Sequence, residues 1–262
     1  MVTTNSPHLS IIIATYNADK TLEKALNSVL ALTYQNWECI IIDGISKDGT
    51  LSIINKFENI DNRFSHVSEK DEGLYDAFNK GWKKAKGEWI YYLGADDELT
   101  NTGIEQLMKE AYMVESNTAI VSGGVIRIRQ DNSERILMSK DFIGSHQSMV
   151  MRRSVLEEMN GFNYKRYSIL ADYDLFIRIK NNNYRAKNCE AIVAYFHAGG
   201  TSEKMRNVLK IMHEKYTILK HDKFCKSPFI TTLIDTSKTI IGSIYHKLIR
   251  FLKRSFSITH HN

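Results

Sequence analysis

The chain has only two prolines and three cysteines in 262 residues. It has no uninterrupted apolar run approaching the ~20 residues that a membrane-spanning helix needs. Cys39, Cys189 and Cys225 are scattered and odd in number, with no CxxC spacing. This argues against a disulfide framework or a cysteine zinc site and fits a reducing compartment. Residues 1–9 lack the apolar core of a signal peptide, so a cytoplasmic location is expected. There is no Gly/Ser/Pro-rich linker, internal repeat or low-complexity tract. Neither GxxxxGK[ST] nor GxGxxG after the first strand occurs, which excludes P-loop and Rossmann dinucleotide sites. A bound diphosphate would therefore be held mainly by metal and by side chains.

What is present suits a soluble α/β domain. The chain is 43% hydrophobic and 25% charged, enough for one sizeable core, with or without an appendage. The net charge of +5 is uneven. Residues 203–262 hold 12 Lys/Arg against 4 Asp/Glu, whereas residues 1–202 hold 23 against 26. The basic excess belongs to the tail and calls for an acidic partner or surface.

Hydrophobic spacing predicts strands at 9–15, 37–43, 64–68 and 88–93, with helices at 20–32, from 51 to 57, and at 74–86. Such alternation means right-handed βαβ units and a mainly parallel sheet. Beyond residue 100 the spacing predicts a helix at 103–115, a strand at 119–125 and a hairpin of 125–129 with 134–138. A strand at 146–151, a helix at 168–180, a strand at 190–196, and helices at 203–221 and 228–256 follow.

Polar residues gather where strands end: Thr15-Tyr16-Asn17, Asp43 and Asp96-Asp97. In an open α/β sheet those ends share one edge, where ligands bind. The segment Trp89–Glu98 runs from a strand through Gly94 and Ala95 into three acids. Packed carboxylates suit a hard divalent ion, Mg²⁺ or Mn²⁺; the alternative is a solvated acidic turn leading into a helix. Asp43 is placed either to accept a hydrogen bond from a base imide or ribose hydroxyl, or to cap its own turn through Ser46 and Asp48. Asp76 and Asn79 share a polar helix face, while Tyr75 and Trp82, seven apart, fit core packing.

Five ordered segments together resemble the family 2 glycosyltransferases with a GT-A fold, in the bacterial polysaccharide, colanic-acid-type branch. They are SIIIATYNA (10–18), IIIDGISKDGT (40–50), SEKDEGLYDAFNKG (68–81), GEWIYYLGADDE (87–98) and LADYDLFIRI (170–179). The resemblance covers roughly residues 8–202. It implies a Rossmann-like, mainly parallel sheet flanked by helices, with a nucleotide-binding half at about 8–100 and an acceptor half at about 101–202. A basic helical extension, 203–262, follows. By the same resemblance Thr15, Tyr16 and Asn17 line the nucleotide, Asp43 contacts the base, and Asp96 lies near the ribose or donor sugar. Asp97 ligates the metal and Asp172 is the catalytic base, and Asp76 and Asn79 would approach the sugar donor. His146 and Gln147, with His197–Ser202, match further segments near the active site.

Three departures from the family pattern stand out. Ala95-Asp96-Asp97 replaces a literal Asp-x-Asp, so Asp97 carries the metal assignment. Ala171 stands where many relatives have Glu, and Phe78 where Arg is common. Read without the resemblance, Asp172 is a helix N-terminal acid facing the macrodipole, and His146 and His197 are ligands, acceptor-site donors or hydrogen-bonded structural residues.

On a helical wheel, residues 240–256 separate an apolar half (Ile240, Ile241, Ile244, Tyr245, Leu248, Ile249, Phe251, Leu252, Phe256) from a basic one (His246, Lys247, Arg250, Lys253, Arg254). Two uses fit: binding in the plane of an anionic membrane, here the inner face of the cytoplasmic membrane, or docking on the catalytic domain. Nucleic acid is not an expected partner, because no recognised binding fold surrounds the basic residues. The expected activity is inverting, metal-dependent transfer of a sugar from a nucleotide sugar, a UDP-sugar foremost. The acceptor is a hydroxyl of a saccharide or lipid-linked saccharide in surface polysaccharide or glycolipid assembly. Asp172 would act as general base and the metal would stabilise the leaving diphosphate. Two alternatives are a haloacid-dehalogenase-type phosphatase, prompted by Lys47–Thr50 but opposed by Ser46 where its nucleophile belongs, and a catalytically inactive nucleotide-sugar-binding module.

Overall fold

The computed structural model describes residues 9–129, 131–142, 144–198, 205–221 and 232. By contact density the chain divides between residues 200 and 201. Four parallel strands open the first unit: β1 (Leu9–Thr15), β2 (Trp37–Asp43), β3 (Phe64–Ser68) and β4 (Trp89–Gly94). Helices α1 (Leu22–Leu30), α2 (Thr50–Ile60) and α3 (Leu74–Lys84) connect them. The order β3-β2-β1-β4 puts β1 at the centre, where Ile11, Ile12 and Ile13 are fully buried. Burial on both faces explains why these strands read as continuous apolar runs.

The two faces take different partners. Ile11, Ile13, Tyr91 and Leu93 join one core with Leu22, Leu26 and Val29 of α1 and Ile54 and Phe57 of α2. Each such aliphatic side chain contributes roughly 1.5–3 kcal/mol when fully buried. On the other face α3 approaches β1 so closely that a Cβ on Gly81 would stand 2.4 Å from Ile12 Cγ2. Phe78 of α3 packs on Tyr92 at 4.4 Å between ring centroids, and Phe162 joins both.

The second half completes a mixed sheet of nine strands among the described residues, β3-β2-β1-β4-β8-β6-β9-β5, with β7 beside β6. It comprises β5 (Glu98–Leu99), α4 (Gly103–Met113), β6 (Thr118–Ile128), β7 (Glu134–Met138), β8 (Met149–Arg152), α5 (Arg153–Glu158), α6 (Ala171–Asn181) and β9 (Arg185–His197). The strand expected at 119–125 and the first arm of the hairpin are one continuous strand, β6. Its outer half pairs antiparallel with β7, as the hairpin requires. The strand expected from residue 146 begins at Met149, after a 3₁₀ turn, His146–Ser148. In the second unit a 3₁₀ turn, Met205–Asn207, leads into α7 (Val208–His221), within the helix expected at 203–221; the helix expected at 228–256 lies, apart from residue 232, outside the described residues. The amphipathic 240–256 segment lies outside the described residues.

Candidate active site

Strand register places the polar ends side by side. Thr15 is opposite Asp43, Asp43 opposite Ser68, and Ala14 opposite Gly94. Asp43 is fully buried. Its Oδ1 accepts from the Ser46 hydroxyl at 2.5 Å, and its Oδ2 accepts from the Ser46 N–H at 3.1 Å and the Ser68 hydroxyl at 2.6 Å. It thus fixes the β2–α2 loop and the end of β3. Asp48 takes no part in that cap; it accepts from the Thr50 N–H and hydroxyl. Asn17 adopts a left-handed backbone (φ 50°), donates its N–H to Ser46 Oγ and accepts from the Lys47 N–H, both at 2.8 Å. These bonds tie the first two loops together.

What faces outward here is Tyr16, 63% exposed, and the neighbouring Ile45. Thr15 Oγ1 is buried without a hydrogen-bond partner among the described residues. Sequence reasoning passed over Asp71, although it lies inside SEKDEGLYDAFNKG. Its Oδ2 stands 2.5 Å from where a Cβ on Gly44 would be, and Tyr16 Cδ2 is 3.4 Å from the same point. Asp71 and Tyr16 thus close over Gly44 and border the edge above β2.

Asp96 and Asp97 follow β4. Asp96 is exposed and Asp97 is 1% exposed. A Cβ on Gly94 would meet Asp97 Oδ2 at 2.5 Å and Asp96 Oδ1 at 3.1 Å, so both carboxylates converge beside this glycine. β5 pairs with β9, Glu98 opposite Tyr195, and this brings the end of β9 to Asp97. The His197 N–H donates to Asp97 Oδ1 at 2.9 Å, while the His197 ring Nδ1, 4.0 Å from the same oxygen, is buried without a hydrogen bond among the described residues. The Gln147 amide donates to Asp97 Oδ2 at 3.1 Å. Burial pushes the Asp97 carboxyl up to about 6, aided by the Asp96 charge and opposed by the His197 and Gln147 hydrogen bonds and by nearby His146.

Asp172 lies in the first turn of α6, partly exposed, with Oδ1 accepting from the Tyr173 N–H. Its Oδ2 is 3.6 Å from His146 Nδ1, and the His146 ring stands edge-on to Phe78 at 5.4 Å. Asp97, Gln147, His146, Asp172 and His197 are thus one connected group.

Asp76 and Asn79 are placed otherwise. Asn79 donates to the Phe162 carbonyl and accepts from the Phe162 N–H and the Trp82 indole N–H, at 2.8 to 2.9 Å. Its hydrogen bonds bolt α3 to the turn at Gly161 and are not offered to a donor sugar. Asp76 is buried, accepts from the Glu72 N–H at 2.9 Å and lies 3.4 Å from Lys80. Tyr75 and Trp82 are core residues.

The donor set fits a divalent ion that relies on its substrate for further ligands. Among the described residues no group of three His, Cys, Asp or Glu side chains forms a closed metal site. Mg²⁺-type centres are commonly held by one or two carboxylates plus substrate phosphates, which Asp96 and Asp97 can supply.

The profile of glycosyl transferase family 2 matches residues 10–182. A PGL/p-HBAD biosynthesis glycosyltransferase of Mycobacterium bovis BCG is 34% identical over 188 residues, 68% of this chain and 71% of that one. Among solved structures, the Pyrobaculum calidifontis mannosyltransferase PcManGT, in complex with GDP-Man and Mn²⁺, aligns with a TM-score of 0.67 at 16% identity, covering 98% of this chain and 81% of that one. Staphylococcus aureus TarS 1–349, in complex with UDP-GlcNAc, aligns with a TM-score of 0.66 at 17% identity, covering 86% and 72%. These structural likenesses establish the GT-A fold.

Proposed function

The chain belongs to glycosyl transferase family 2, and we propose that it moves a sugar from a nucleotide sugar, a UDP-sugar foremost, to an acceptor hydroxyl, with inversion at the anomeric carbon. The acceptor is a saccharide or lipid-linked saccharide in surface polysaccharide or glycolipid assembly. The observation that carries this reading is the buried Asp97 carboxylate at the end of β4, paired with Asp96 and joined through Gln147 and His146 to Asp172.

Each part has a task. Tyr16 offers an exposed ring to the base and Asp71 a carboxylate to the nucleoside, with Thr15 at the end of β1 opposite Asp43. Asp43 and Asn17 act through the loops they fix. Asp96 and Asp97 would hold Mg²⁺ or Mn²⁺, with the donor phosphates completing its ligands. When bound, the ion neutralises charge on a departing diphosphate. Asp172 accepts the proton of the acceptor hydroxyl as that oxygen attacks. His146, 3.6 Å from the Asp172 carboxylate, orients it.

Among the described residues no helix is long and apolar enough to cross a membrane. Contact with a lipid-linked acceptor is proposed to run through the basic amphipathic segment 240–256, lying in the plane of an anionic membrane surface. The test is release of nucleoside diphosphate from UDP- and GDP-sugars in the presence of saccharide acceptors. Turnover that EDTA abolishes and that Asp172→Asn removes supports the assignment. Nucleotide-sugar binding with no turnover by the folded wild type would instead indicate an inactive binding module.

A further inference from the structure

The turn between β7 and β8 is held more firmly than a connecting loop requires. The Tyr91 hydroxyl of β4 donates to the Gln147 carbonyl. The Ser145 side chain caps the turn by accepting from the Gln147 N–H, and Ser148 Oγ donates to the Ser145 carbonyl at 2.6 Å. The Ser139 hydroxyl bonds Ser148 Oγ at 2.6 Å, and the Ser145 hydroxyl also donates to Gln147 Oε1. With Oε1 toward Ser145, the amide NH₂ faces Asp97. The backbone is therefore fixed by Tyr91 and the serines, and two adjacent side chains are left to point at two carboxylates. Gln147, 6% exposed, reaches Asp97 Oδ2 at 3.1 Å. His146, braced by Phe78, stands 3.6 Å from Asp172 Oδ2.

We propose that His146 and Gln147 form a two-residue bridge that sets the two ends of the reaction site separately, Gln147 positioning Asp97 at the diphosphate end and His146 positioning Asp172 at the acceptor end. The proposal rests on the transferase reading above. Both are positioning residues, each acting through a carboxylate. Gln147 supplies the one side-chain hydrogen bond that Asp97 receives among the described residues, the other being the His197 N–H. Without it, the buried carboxylate keeps the His197 N–H on Oδ1 and loses the bond that orients Oδ2. Partners of this kind orient a metal-binding carboxylate, and removing one typically lowers metal affinity ~10–100-fold. His146 does not touch Asp97 by hydrogen bond. Its loss leaves the diphosphate end in place and loosens only the base.

The experiment compares Gln147→Asn, Gln147→Met and His146→Gln with wild type. Asn is one methylene too short to reach Asp97; Met keeps the length without the donor. Calorimetry would measure UDP and GDP binding with Mn²⁺ and with EDTA, with UMP as the probe lacking a β-phosphate. Thermal melting checks the fold, and nucleoside diphosphate release from the donor sugar gives kcat and KM. The bridge predicts that both Gln147 variants, still melting as folded proteins, weaken Mn²⁺-dependent diphosphate binding ~10–100-fold and leave UMP binding near wild type. It predicts that His146→Gln keeps wild-type Mn²⁺-dependent affinity and donor KM while kcat falls about tenfold or more. Wild-type diphosphate affinity in both Gln147 variants would overturn the bridge. So would His146→Gln losing metal-dependent affinity along with them, or turning over at the wild-type rate. A wild type that binds no nucleoside diphosphate would instead bring down the transferase reading, and the bridge with it.

Discussion

Asp97 carries a raised pKa, and its consequence for stability has a definite sign. The carboxyl ionises at about 6 in the folded chain against 3.8 as its ordinary value. Between these two values the folded state holds a proton that the unfolded state has released. Stability from this group therefore falls as pH rises through the window, and it grows as pH drops below about 6. Linkage with these two values gives about 1.4 kcal/mol gained by the folded state between pH 8 and pH 5. At roughly 2–4 °C per kcal/mol for a domain of this size, that is about 3–6 °C in Tm. Asp97→Asn cannot take up the proton, so other titrating groups cancel in the comparison. The assay is thermal melting of wild type and Asp97→Asn in EDTA at half-unit pH steps from 5 to 8. The gap, wild type minus variant, should widen by about 3–6 °C toward pH 5. A gap constant with pH, or one that narrows toward acid, would refute the claim that burial dominates at Asp97.

Other outcomes follow from the same geometry. Asp172→Asn should lower transfer by about 100-fold or more with nucleoside diphosphate affinity kept, as measured by turnover and calorimetry; retained turnover would remove Asp172 as the base. Asn79→Ala strands the Phe162 N–H and the Trp82 indole and should cost about 2–4 kcal/mol in chemical denaturation, while nucleotide affinity holds; a large affinity loss at unchanged stability would return Asn79 to the donor site. Deleting residues 228–262 should reduce co-sedimentation with vesicles of anionic lipid but not with neutral ones, and unchanged binding would contradict membrane contact through the tail.

The parallel half was legible because a strand buried on both faces needs an unbroken apolar run, and Ile11–Ile13, Cys39–Ile42 and Trp89–Leu93 supply it. Acids at the ends of such runs could then be assigned to one edge. The mixed half was harder. The run reads as two segments meeting at Val125, yet β6 continues through it, and its glycines admit a neighbour on each side: a Cβ on Gly123 would stand 2.2 Å from the Ala191 carbonyl oxygen of β9, and one on Gly124 2.9 Å from the Leu137 carbonyl oxygen of β7. No local pattern announces these contacts. The first residues of β9 are mostly polar and exposed, so only its apolar end, 190–196, was readable. The six residues of α5 are too few to display a helical period.

In the site, residue type ran ahead of partners. Asn79 looked like a ligand-facing amide, but its partners include the backbone of Phe162, 83 positions away. Asp43 was placed correctly at its strand end, and only the fold shows Ser68 beside it. Gln147 was identified as a site residue, but the carboxylate it holds lies 50 residues upstream.

The most direct test of the central claim is calorimetric titration of wild type and Asp97→Ala with UDP and GDP, each with Mn²⁺ and then with EDTA. Metal-dependent binding of a nucleoside diphosphate, UDP foremost, is expected, removed by EDTA and abolished in Asp97→Ala. Well-folded wild type that binds neither nucleotide, or binds them equally well in EDTA and in the variant, would contradict it.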